Sequence, residues 1–87
     1  MITGETSTGF KYSIEDGAID DYELLEILCK IDKGDYGLVT EMVDKLLGEK
    51  EKERLKDHVR NESGRVSATR MMSEVMEIFK SNKAGKN

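Results

Sequence analysis

The chain has 87 residues, of which 37% are hydrophobic and 37% charged, with a net charge of -4. That length accommodates one domain and not two, and a domain this small buries only about 60–65% of the surface its unfolded chain exposes. The acidic balance argues against nucleic acid as the main partner, and no apolar run approaches the length of a membrane span.

The opening MITGETSTG has neither a basic nor an apolar stretch of the kind a signal peptide needs. Residues 1–9 are small and polar with little to bury, which predicts disorder. Phe10, Tyr12 and Ile14 then alternate with Lys11 and Ser13. This period of two predicts a short extended segment, which must dock on the helices or pair with another subunit, because a lone strand is not stable.

A first helix is predicted from about Ala18 to Lys33, with Ile19, Tyr22, Leu25, Leu28, Cys29 and Ile31 as its apolar face, widened by Leu24 and Ile27. Asp20, Asp21 and Glu23 suit the positive end of its dipole, and Gly34 stops it. Asp35 is a candidate cap for a second helix, Tyr36 to Leu47, where Val39, Met42, Val43, Leu46 and Leu47 keep i, i+3, i+4 spacing before Gly48 ends it. A third helix, Glu49 to Asn61, has only Leu55 and Val59 as apolar residues. It relies on ion pairs such as Glu49–Lys52, each contributing about 0.2–0.5 kcal/mol. A turn at Gly64 leads to a fourth helix running to about Ser81, capped by Ser67, stapled by Val66 and Met71, and buried along Met71, Met72, Val75, Met76 and Phe79.

These elements predict an all-α fold: a small bundle of about four short helices with an extended N-terminal segment and flexible termini. Residues 10–81 form the single helical domain and residues 82–87 a flexible basic tail. The single cysteine, Cys29, reads as a small buried hydrophobe in a reducing cytoplasm.

No motif names a reaction. His58 is the only histidine and lies among charged residues, which reads as a solvent-exposed helical position. One Cys and one His cannot supply a structural zinc site, and no cofactor or metal is expected. The run Asp32 to Gly37 resembles the start of a calcium loop, but Gly34, Tyr36 and Val43 occupy positions that need oxygen ligands. Arg65 and Arg70 could open a DNA-recognition helix, although Met71 and Met72 follow at once. Between Tyr12 and Cys29 there are six acids, Glu15, Asp16, Asp20, Asp21, Glu23 and Glu26, and no base. They read as a solvated helix start or as steering charge for a basic partner.

The order of features resembles a known family. Gly9-Phe10-Lys11-Tyr12 precedes an acidic helix start. Glu23-Leu24-Leu25-Glu26 follows, then Leu46-Leu47-Gly48-Glu49, a charged helix, and Asn61-Glu62-Ser63-Gly64-Arg65-Val66 leading to Ile78-Phe79. The chain is similar to the small tail assembly chaperones of long-tailed phages and prophages of Gram-positive bacteria. Relatives often carry a proline after the Arg-Val pair, where Ser67 stands here; both residues suit a helix start.

The resemblance implies a non-enzymatic chaperone or adaptor in the host bacterial cytoplasm that binds the tape measure protein, and possibly tail tube subunits, during tail morphogenesis. Separately, the apolar area that four short helices leave uncovered allows a homo-oligomer, and the lack of a long apolar run argues against a membrane partner. Leu38, Met42, Leu46, Met72, Met76 and Phe79 are the expected partner contacts, with Glu15 to Glu26 and the basic tail as electrostatic guides. Two alternatives remain: a DNA-binding regulatory phage protein using Arg65 and Arg70, and a small virion component such as a head–tail connector.

Overall fold

The computed structural model describes residues 1–83, so the expected flexible basic tail lies mostly outside the described residues. The fold is mixed α/β, which corrects the expectation of an all-α four-helix bundle. In chain order it comprises β1 (Ile2–Glu5), β2 (Lys11–Ile14), α1 (Tyr22–Asp32), a single 3₁₀ turn (Tyr36–Leu38), α2 (Val39–Val59) and α3 (Ala68–Lys83).

The expected disorder of the first residues is also corrected. Ile2–Glu5 pairs antiparallel with Lys11–Ile14 in the register Ile2 with Ile14, Thr3 with Ser13, Gly4 with Tyr12 and Glu5 with Lys11. The turn between the strands is closed by Thr6 N–H to the Phe10 carbonyl (2.9 Å) and Gly9 N–H to the Thr6 carbonyl (2.9 Å). The buried side chains come from β2, where Tyr12 and Ile14 alternate with the more exposed Lys11 and Ser13. Strand β1 contributes mainly backbone. Gly4 suits that position, because a Cβ would crowd the Tyr12 ring and hydroxyl and force them to shift.

Helix α1 starts later than predicted, with Asp21 as its cap: the Asp21 carboxylate accepts from Glu23 N–H (2.9 Å) and Leu24 N–H (3.3 Å). Its buried residues are Leu24 and Ile27, whereas Tyr22, Leu25 and Cys29 are exposed. The face expected to be buried was therefore rotated from the real one, and the reading of Cys29 as buried is corrected. Asp35 makes no side-chain capping bond, and Tyr36–Leu38 forms the 3₁₀ turn rather than the first turn of the next helix.

Residues expected to form separate second and third helices are one element, α2, bent at Gly48. Gly48 adopts φ 79° and ψ 167°, a conformation closed to residues with a Cβ. Lys52 spans the bend, reaching Asp44 (2.9 Å) before it and Glu49 (3.0 Å) after it. The bend lets both halves bury their apolar residues: Met42, Val43, Leu46 and Leu47 before it, Leu55 and Val59 after it. After α2, Arg60 and Val66 form an isolated bridge around the Gly64 turn. Ser67 caps α3 as expected, its hydroxyl accepting from Arg70 N–H (3.2 Å). Helix α3 ends at Lys83, slightly beyond the predicted Ser81.

One core joins all of this. Phe10, Tyr12 and Ile14 of the hairpin meet the buried faces of α1 and α2, together with Val75 and Ile78 of α3. Among the described residues, no helix is long and apolar enough to cross a membrane.

Candidate functional site: an apolar groove between α1 and α3

Helices α1 and α3 each pack on α2, and a groove of about 390 Å³ runs between them. Leu25, Leu28 and Ile31 form one wall; Met72, Met76 and Phe79 form the other; Met42 lies at its base. The wall residues are half-buried or, like Leu25 at 49%, exposed. The apolar surface continues past Met72 and Met76 over Ala68 and Thr69 of α3. Among the described residues, only Asp32 and Lys80 bring formal charge to the groove lining. Small-molecule sites need several convergent polar groups to fix a ligand's orientation. This lining offers adaptable thioethers and branched aliphatics instead, the surface chemistry that accepts an amphipathic helix.

The expected partner contacts divide across this geometry. Met72, Met76 and Phe79 sit in the groove wall, and Leu38 is half-buried against the core. Met42 is 1% exposed and Leu46 2%, so both are core residues, and Leu46 does not line the groove. Leu25, Leu28 and Ile31 are the groove residues that the sequence reading did not select. Their signal was already there, because a helix with apolar residues on more than one side has one stripe too many for a single core contact.

The acidic residues do not form one patch. Asp21 is spent on its cap and on Lys45 (3.7 Å), Glu23 pairs with Lys45 (3.3 Å), and Asp16 meets the Met1 amine (3.0 Å). Glu15, Asp20 and Glu26 are exposed, with no ion pair among the described residues. The Lys45 ammonium is held above the ordinary lysine value, first by its hydrogen bond with Glu23 and next by the charge of Asp21. The Lys52 ammonium is raised by its bonds with Asp44 and Glu49. Arg65 and Arg70 are both exposed, on the turn and the first helical positions of α3.

His58 is exposed yet engaged, which is more than the sequence reading anticipated. Its Nε2 lies 3.0 Å from Thr8 Oγ1, and its ring packs against Phe10 with centroids 5.2 Å apart. Thr8 donates its one hydroxyl proton to Glu74 Oε2 (2.7 Å), so His58 presents N–H to Thr8. In a hydrolytic triad the nucleophile's proton points at imidazole and the acid orients the imidazole. Here the acid takes the hydroxyl proton instead, so this set fastens the hairpin turn to α2 and α3. Ser7 adds two bonds to Glu77, from N–H (2.6 Å) and from its hydroxyl (3.0 Å). Among the described residues, no group of three or more His, Cys, Asp or Glu side chains is placed to hold a metal ion.

No family model, curated protein or solved structure matches the chain. The functional reading therefore stands on the groove and on the resemblance described above.

Proposed function

We propose that this chain is a non-enzymatic assembly chaperone of phage tail morphogenesis, acting in the host bacterial cytoplasm. Its groove would receive an apolar helical segment of the tape measure protein. The observation that carries the reading is the open, methionine-lined cleft between α1 and α3. A tape measure chain is long, helical and partly apolar, and a soluble partner that covers such segments must itself keep an apolar face in water. Covering that face is favourable by about 25 cal/mol per Å² removed from water, and the charged remainder of the surface keeps the complex dissolved.

Co-expression with the long open reading frame of the same tail gene cluster tests this. The client is expected in the soluble fraction with the chaperone and in the pellet without it. Met76→Glu, which places a charge in the groove wall, is expected to return it to the pellet while the chaperone stays folded. A client equally soluble with and without the chaperone would defeat the proposal. So would recovery of the chain as a stoichiometric part of purified virions. A salt-dependent shift of phage DNA that is lost on replacing Arg65 and Arg70 would favour the regulatory alternative.

A further inference from the structure

The two edges of the hairpin are treated differently by the rest of the molecule. The bond from Thr6 N–H to Phe10 sets the ladder phase, so Gly4 bonds Tyr12, Ile2 bonds Ile14, and the backbone groups of Thr3, Glu5, Lys11 and Ser13 point outward. On β2 two of the four outward groups are taken up by α2. Ser13 N–H donates to Glu51 Oε1 (3.1 Å), and Arg54 donates to the Lys11 carbonyl (3.0 Å). Glu51 and Arg54 are themselves paired at 2.7 Å, a clamp along that edge. On β1 the outward groups of Thr3 and Glu5 have no partner among the described residues, and both residues are exposed. Strand β1 is four residues long and carries one charge, Glu5, but has no Lys, Pro or bulge to turn its edge away.

We propose that β1 pairs antiparallel with β1 of a second copy of this chain, across a two-fold axis at Gly4, to give a four-stranded sheet. The register follows from chemistry. Centring on Gly4 places Thr3 opposite Glu5 of the second copy and Glu5 opposite its Thr3, so the four outward groups of each strand are satisfied at once. Centring on Glu5 would set two carboxylates face to face, which is unfavourable. At the Gly4 centre the two glycines meet with no side chains to clash, and each is covered by its own Tyr12. This surface is separate from the groove between α1 and α3, so the two proposals fail independently.

Sedimentation of the full chain, with a dilution series, is the test. A dimer is expected, and Thr3→Pro is expected to weaken it at least tenfold. Proline there removes an outward N–H that plays no part in the hairpin's own ladder. The second measurement is cross-linking in a Cys29→Ser background. Copies carrying Thr3→Cys mixed with copies carrying Glu5→Cys should join on mild oxidation, while either variant alone should join poorly. Three results would overturn the proposal: a wild-type chain that is monomeric at every concentration, a Thr3→Pro dimer as tight as wild type, or a dimer dissolved by Met76→Glu and not by Thr3→Pro.

Discussion

The two flanks of the helical layer have opposite fates. Where β2 lies along the second half of α2, the gap is filled by Phe10, Tyr12 and Ile14 and fastened by Thr8, Ser7, Glu51 and Arg54. Where α1 faces α3, no described segment fills the gap in this way, and Leu25, Met72 and Met76 remain accessible. The same class of residue thus holds the fold together on one side and is available for binding on the other. The difference lies in whether a described segment covers it.

That contrast is open to attack by substitution. The largest effect is expected from Phe10→Ala, which empties a buried position between Arg54 and His58. Truncating a buried phenylalanine costs about 3–5 kcal/mol, and urea denaturation should show that loss together with new dye-binding surface on the hairpin side. Thr8→Val comes next. Glu74 is only 4% exposed and its Oε1 has no partner among the described residues, so losing the Thr8 proton strips the donor to its Oε2. Leaving such a group unsatisfied costs about 1–3 kcal/mol, and hydrogen exchange at the hairpin turn should rise before global unfolding.

A smaller effect concerns pH. Lys45 and Lys52 are raised above the ordinary 10.5 in the folded chain, so each favours folding fully below that value and loses its contribution as pH climbs through the folded value. The urea midpoint should fall in that alkaline range, less so in Lys45→Met/Lys52→Met, with no contribution from these two groups to acid unfolding. Least of all, Leu25→Ser should leave stability within about 0.5 kcal/mol, as surface substitutions generally do, while weakening capture of the client. A Leu25→Ser chain that unfolds as easily as Phe10→Ala would erase the distinction between the flanks.

Much of this layout was legible in the sequence. The break at Gly48, the turn at Gly64 and the Ser67 cap all followed from local chemistry, because each depends on a few neighbouring residues. The Phe10–Tyr12–Ile14 alternation also announced a strand. Its partner was missed because Ile2–Glu5 holds one large apolar residue and joins through backbone bonds, which leave no side-chain pattern. The turn-like Ser7-Thr8-Gly9 between two extended segments was the available clue. Helix α1 was rotated in the reading because Leu24 and Ile27 compete with Leu25 and Leu28 in equal strength, and only tertiary packing decides between them. Met42 and Leu46 were assigned to a partner for the same reason: a residue's own type does not say which neighbour will cover it.

The Glu51–Arg54 clamp on β2 carries a consequence for how large any assembly can grow. A sheet with two usable borders can add subunits without end and become a fibre. With Glu51 and Arg54 of its own helix occupying one border, the proposed pairing leaves each molecule a single free edge, and joining two copies exhausts it. For the proposed chaperone that limit would be an advantage, since it leaves no route from pairing to precipitation.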